Sequence, residues 1–334
     1  MMKIGKLPES VLQRSIIKQV KHRRDEVLMG PSVGVDCAAV SLKADEVLVM
    51  STDPITGTAK DVGRHCVHIT ANDLAASGAE PLGIMLTVLL PPTIEEPEIR
   101  KMVQDAEQAC ASLNMEILGG HTEITNAVQQ PLITVTGIGK VAKDQVLLPE
   151  NIRAGEDVIV TKWIGLEATT ILAKEREEQL SKRFSANFIH TAQRFDQYLS
   201  VVEDAAVAKS AGVTAMHDIT EGGVFGALWE MAEAGHTGLE INLRAIPIKQ
   251  ETVEICEFFN ANPYQIMSSG SMMIVSKHGQ EVVNALERAG IHATIIGQTT
   301  AGNDRILRNG EDVRYLDRPQ PDELYKALEN IKII

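Results

Sequence analysis

The segment "EIRKMVQDAEQACASLN" constrains this chain most. It sets Ile99, Met102, Val103, Ala106, Cys110 and Leu113 at helical spacing, with Thr93 and Glu96 upstream as a candidate capping box. Strand-like runs lie around it: "VLVMS" at 47–51, "LGIMLTVLL" at 82–90, "MEIL" at 115–118 and "PLITVTGIGKV" at 131–141. A helix with one apolar stripe must bury it against a second layer, and these runs supply one. Another helix is expected from about Val62 to Ser77, closed by Gly78 with Pro81 beyond it.

At 334 residues the chain exceeds one small core, and length alone favours two domains. The stretch "LLPENIRAGEDVIVTKWIG" interrupts the pattern with Pro149 and a turn at Gly155 before a fresh strand, "VIVT". This places a boundary near residue 150 and divides the chain into domains 1–150 and 151–334. The second half alternates again. A charged helical segment covers 174–200 and a helix 203–211, followed by the strand "TAMH" and a helix after "EGG". A helix at 251–259, then "SMMIVS", "EVVNALERAG" and "ATIIGQ", complete it. Both halves therefore read as α/β or α+β layers.

A formal charge of -13 disfavours nonspecific nucleic-acid binding, which needs clustered cations. The longest basic cluster, "KHRR" at 21–24, runs straight into Asp25 and Glu26 and reads as a solvated helix end. Aromatics at 4% leave little for a base-stacking platform. No apolar run is long enough to cross a bilayer and "MMKIGKLPES" holds no signal-peptide core, so no membrane association and a cytoplasmic location are expected. Cys37, Cys66, Cys110 and Cys256 form no CxxC pair and read as small buried hydrophobes. The chain has no GxxxxGK[ST], GxGxxG or GxSxG signature.

Acidic residues recur at the ends of apolar runs. Asp36 follows "VGV", Asp53 follows "VLVMST", Asp73 sits in "TANDLAASGAEP" and Asp218 follows "TAMH". Carboxylates gathered this way suit magnesium bridged to phosphates, while each one alone also reads as a turn residue or cap. In "DITEGGVFGALWEMAEAG", Asp218 and Thr220 lead through Gly222 and Gly223 into a helix that stops near Gly235. Amides opened by glycines at a helix start bind phosphate oxygens; the same glycines also serve a plain tight turn. In "ILGGHTEIT", residues 117–125, Gly119 and Gly120 end an apolar run. They let the chain turn sharply, with His121 open between base, metal ligand and turn residue. His65 and His68 share a helix face and read as half-buried.

Taken in order, "GVDCAAV", "STDPITG", "DVGRHCVHITANDLAASGAEPLGIMLTV", "ILGGHTEIT", "TVTGIGKV" and "HDITEGGVFGALWEMA" resemble the PurM-like (AIR synthase-related) superfamily. Within it, "CEFFNANPYQIMSSGSMMIV" at 256–275 looks most like the hydrogenase maturation family HypE. The resemblance implies an N-terminal α/β domain that pairs its sheet across a homodimer, a C-terminal α+β domain, and ATP with Mg2+ bound between the domains. It places metal on Asp36, Asp53 and Asp73, with His121 where an aspartate is expected. Nucleotide contacts fall on Asp36, Asp53, Asn72, Asp73, Gly119, Gly120, Thr122, Thr220, Gly222 and Gly223, and catalytic roles on Asp73 and Asp218.

The implied activity is ATP-dependent activation of an oxygen, or phosphoryl transfer, on a small-molecule or protein-borne acceptor. Hydrogenase maturation proteins are the implied partners. A non-catalytic nucleotide-binding scaffold and a thiamine-monophosphate-type kinase are the alternatives. Three departures stand out. The family's "GDD" is Gly34-Val35-Asp36 here, and "GGDT" is "GGHT", with Glu123 a candidate for the lost carboxylate. HypE carries its substrate on a C-terminal cysteine, whereas this sequence ends "LYKALENIKII" with no cysteine after Cys256. That reaction is therefore not expected in cis.

Overall fold

The runs flanking the amphipathic segment do pair into a sheet, and they extend well past their apolar cores. The computed structural model describes residues 3–33, 35, 37–55 and 61–329. It divides into two units, one of residues up to Ala75 with Ala79–Val146, the other of Ala76–Gly78 with the chain from Leu147 onward. In the first unit β1 (Gly5–Lys6) and α1 (Glu9–Ser15) precede a two-stranded pair, β2 (Val27–Met29) and β3 (Ala39–Val40). Then follow β4 (Glu46–Ile55), α2 (Val62–Ala76), β5 (Glu80–Leu90), α3 (Glu96–Ser112), β6 (Glu116–Ile124) and β7 (Leu132–Ala142).

The main sheet has the order β1-β6-β5-β7-β4. Only β5 and β6 are parallel, and α3 is the crossover that parallel neighbours require. α3 is capped by Glu95 and Glu98 rather than by Thr93 and Glu96. Pro97 explains the shift: its fixed φ and missing N–H suit the first helical turn, which sets the start at Glu96 and the cap one residue earlier.

"ILGGHTEIT" is a strand, not a turn. Both glycines lie inside β6, with Gly120 opposite Leu86 of β5. Gly120 has φ +141, and a Cβ there would sit 1.9 Å from the Leu86 carbonyl oxygen, so only glycine lets the strands close at this point. "KHRR" also departs from expectation, since it belongs to no helix and runs as irregular chain. Its amides bond carboxylates from distant helix and strand: Lys21 N donates to Glu107 Oε1 at 2.7 Å and Arg24 N to Glu116 Oε2 at 2.8 Å. The Arg24 side chain is 6% exposed and pairs with Glu26 and Glu80. Glu26, held by Arg24 and Lys140, has its carboxyl pulled far below the usual range.

The second unit runs β8 (Asp157–Thr161), α4 (Leu166–Glu175), α5 (Glu177–Leu180), α6 (Ala186–Gln193), α7 (Val202–Ala211), β9 (Ala215–Ile219) and α8 (Gly223–Ala234). It continues with β10 (Gly238–Asn242), α9 (Gln250–Phe258), β11 (Ser271–Ser276), α10 (Gly279–Arg288), β12 (Ala293–Thr300), β13 (Arg305–Asn309), β14 (Asp312–Tyr315) and α11 (Glu323–Glu329). Its seven-stranded sheet has the order β14-β13-β10-β12-β8-β11-β9. Val158, Val160, Ile241 and Met273 from the strands bury against Val224, Leu228 and Met231 of α8. A second core joins α4, α6, α9 and α11 through Leu172, Ile189, Ile255 and Leu324. The expected charged helix at 174–200 is broken into pieces, because Ser185 starts α6 afresh by accepting from Phe188 N at 3.3 Å. Among the described residues no helix is long and apolar enough to cross a membrane.

Candidate functional site

β4 carries Ser51 and Asp53 on one face of the sheet, and α2 lies over that face, with Gly137 of β7 meeting Thr70 and Leu74. This brings Asp73 of α2 to Asp53. The Ser51 hydroxyl donates to Asp73 and lies 3.4 Å from Asp53 Oδ2. Two carboxylates converging on one hydroxyl form a hard-oxygen set of the kind magnesium takes, with water and phosphate filling its remaining positions. Asn72, the residue before Asp73, is fully buried in α2. Asp36 lies outside the described residues.

His121 is not brought to this pair. The row across the sheet runs Asp53, Val135, Leu86, Gly120; His121 stands in the next row, with Thr87, Thr134 and Pro54, and so faces the other side. Strand spacing puts β6 three steps from β4, roughly 14 Å away. No single ion at Asp53 and Asp73 reaches His121 of the same protomer. Its Nε2 instead lies 3.2 Å from Glu123 Oε2, on the same open face. Among the described residues no three His, Cys, Asp or Glu side chains gather as a metal set. Gly119, Gly120, His121 and Thr122 do line a cavity of about 270 Å³ in the first unit, together with Cys37 and Leu86. Cys37 is exposed, unlike its three buried counterparts. Burial pushes the Cys66 and Cys256 thiols up to about 12 and raises Cys110 as well, which makes them unreactive. His65 and His68 are buried rather than half-buried.

In the second unit Asp218 ends no strand: it lies inside β9, 5% exposed, in a row with Met272 of β11 and Thr161 of β8. Its neighbour His217 places Nδ1 2.6 Å from the Asp218 carbonyl oxygen and Nε2 3.3 Å from Glu230 Oε2. Burial pulls the imidazole down, but the Glu230 hydrogen bond and the Asp218 charge outweigh it, and the net shift is upward. A doubly donating, protonated ring fits these contacts.

The "EGG" turn is tighter than its sequence suggests. Gly222 and Gly223 have φ +80 and +62. Thr220 O accepts from Gly223 N at 3.1 Å and from Ser268 N at 3.3 Å. Gly222 N donates to Asp322 Oδ2 at 2.7 Å, and Leu324 N donates to Asp322 Oδ1 at 2.8 Å. One amide of the expected phosphate cradle is therefore held by a carboxylate from 100 residues away. Nothing near Gly222 in sequence signals this partner. A second such pair is Lys162 with Asp204, at 3.1 Å, both buried.

Burial pushes the Asp322 carboxyl up to about 6; the Leu324, Gly222 and Met267 amides pull it down and the Glu221 charge adds to the rise. A raised native pKa contributes stability below the ordinary value of 3.8 and loses it as pH climbs through about 6. The Asp322→Asn variant should therefore gain on the parent by up to about 3 kcal/mol as pH rises from about 4 to about 7. Urea midpoints of both proteins at the two pH values check this, and a constant difference would refute it.

Two α/β units, an aspartate pair on the first and an Asp-x-Thr-x-Gly-Gly turn on the second define a two-domain AIR synthase-related protein. The chain belongs to that family, with the PurM-like fold. The profile "AIR synthase related protein, N-terminal domain" matches residues 34–141 and the C-terminal domain profile matches 153–308. A Methanocaldococcus jannaschii protein provisionally named as a hydrogenase expression/formation protein is 27% identical over 312 residues, 91% of this chain and 90% of that one. The carbamoyl dehydratase HypE of Rhizobium leguminosarum bv. viciae is 25% identical over 286 residues, covering 82% and 79%. The crystal structure of hydrogenase maturation protein HypE in complex with ATP superposes with a TM-score of 0.80 at 18% identity, covering 97% of each chain.

Proposed function

We propose that this protein is a HypE-like, ATP-dependent enzyme that activates an oxygen of an acceptor by phosphoryl transfer or dehydration. The observation that carries the reading is the convergence of Asp53 and Asp73 on Ser51 in a chain of this family. Those carboxylates would hold Mg2+, with Asp36 as a further ligand, and the ion would neutralise charge on the ATP phosphates. Gly119, Gly120 and Thr122 in the first unit, and Thr220, Gly222 and Gly223 in the second, supply backbone and hydroxyl donors for phosphate oxygens. Engaging Gly222 N requires the ligand to share or displace Asp322. Asp218, beside a protonated His217, is the candidate for moving a proton on the acceptor.

The acceptor is a small molecule or a group borne by a protein of hydrogenase maturation. Calorimetric titration with ATP, with and without millimolar magnesium, tests the reading: magnesium-dependent binding supports it and no binding refutes it. Binding with no ADP release in the presence of hydrogenase maturation partners would reduce the protein to a nucleotide-binding scaffold.

We also propose a homodimer formed through the open face of the first sheet. On β4, Leu48 and Met50 are 45% and 59% exposed, beside Ile138 and Lys140 of β7. Exposed apolar residues contiguous on a sheet face mark an interface. Met50→Asp should convert the dimer to monomer, read by sedimentation velocity; an unchanged sedimentation coefficient would place the interface elsewhere.

A further inference from the structure

Three segments far apart in the chain close around one carboxylate. Asp322, 2% exposed, accepts from Gly222 N at 2.7 Å and from Leu324 N at 2.8 Å, and the Met267 amide adds to the hold. Gly222 is the cap of α8, a helix end whose peptide dipoles favour an anion. The chain therefore sets its own anion at the helix start that the "EGG" motif opens.

The amides at this end of α8 are not held alike. Gly223 N donates to Thr220 O and Phe225 N to Tyr264 O, each at 3.1 Å. Those acceptors are backbone atoms and leave only if the chain itself moves. The Gly222 amide is held by a side chain, which leaves by changing rotamer. Burial and the Glu221 charge both oppose the ionised carboxylate where it sits, so its hold on the amide is not one-sided.

The chain on either side of Asp322 differs in the same sense. Residues 317–321, "DRPQP", are all exposed and belong to no helix or strand, and Pro319 and Pro321 have no N–H to tie them down. Before them, Leu316 N is fixed to Arg305 O at 2.8 Å. After them, Leu324 and Ala327 of α11 are buried in the core shared with α4, α6 and α9. Asp322 thus stands at the joint between an exposed strap and an anchored helix. Its release would loosen only the first turn of α11, where it caps Leu324 N.

We propose that Asp322 is an internal latch on the nucleotide site, holding the Gly222 amide until a phosphate oxygen of ATP takes its place. The inference rests on the ATP-binding reading above. Carboxylate and phosphate compete for one donor, so apparent affinity falls by the fraction of molecules in which the amide is open.

Calorimetric titration with ATP at millimolar magnesium, on the full chain, tests this. Asp322→Asn keeps the shape and an acceptor for Gly222 N but loses the charge, and should tighten ATP binding by at least about fivefold. Asp322→Ala removes the hold outright and should tighten it in the same direction. Asp317→Asn, which removes an exposed carboxylate from the same strap, should leave affinity within about twofold. In the parent, ATP should quicken amide exchange at Leu324 and leave Ala327 unchanged. Parent and Asp322→Asn binding ATP equally, a gain in Asp317→Asn as large as in Asp322→Asn, or slower exchange at Leu324 with ATP would each overturn the latch and leave ATP binding standing. No binding by the parent or by either Asp322 variant would overturn both.

Discussion

Replacing Asp73 with asparagine is expected to weaken magnesium-dependent ATP binding at least about 100-fold, since even partners outside a metal's inner shell contribute 10–100-fold to affinity. Asparagine keeps the shape of the side chain and still accepts from the Ser51 hydroxyl, so the fold should persist and the melting temperature should change little. What it loses is the charge that a hard cation needs. Asp53→Asn should act in the same direction. Because both carboxylates converge on Ser51, the double variant should fall short of the sum of the two single effects. Calorimetry with and without magnesium separates the metal-linked part of binding from the rest. If Asp73→Asn keeps its full magnesium dependence, the aspartate pair is not the metal site.

The second large effect concerns two adjacent glycines with different physical duties. A Cβ at Gly223 would lie 2.7 Å from the Tyr264 carbonyl oxygen and 2.8 Å from Ile266 N and O. These are backbone atoms that cannot step aside like a side chain. Added to the left-handed φ, this overpacking should cost Gly223→Ala about 2–5 kcal/mol. At Gly222 the nearest atom is Gly226 Cα at 3.6 Å, so Gly222→Ala meets only the backbone penalty, about 1–2 kcal/mol. Denaturant unfolding of both variants checks the order, and equal losses would mean that the 264–266 segment yields. The comparison also separates architecture from ligand binding: Gly223 is required by close packing whether or not phosphate binds, whereas Gly222 presents the amide that Asp322 holds.

Local pattern carried much of the fold. The apolar stripe of α3 lies as spaced, with Ile99, Met102, Val103, Ala106 and Cys110 buried, and "SMMIVS" is β11 from end to end. Elsewhere the sequence misled where a distant partner intervened. "KHRR" is basic and polar, yet it is drawn inward by Glu107 and Glu116, carboxylates some 85–92 residues away. "GGHT" resembles a turn because paired glycines usually make one; parallel pairing with β5 keeps it extended.

What the residues alone determined is the family and the kinds of group available: aspartates at the ends of apolar runs, glycines before a helix, and a histidine in place of an aspartate. Order and spacing along the chain are enough for that, because each motif is local. Only the tertiary structure decided which of those groups meet. The pleat sends alternate residues to opposite faces, so Asp53 reaches Asp73 across the covered face while His121, three strands away, points to the other. Chain folding likewise delivered Asp322 to the Gly222 amide, a contact fixed by packing rather than by any motif.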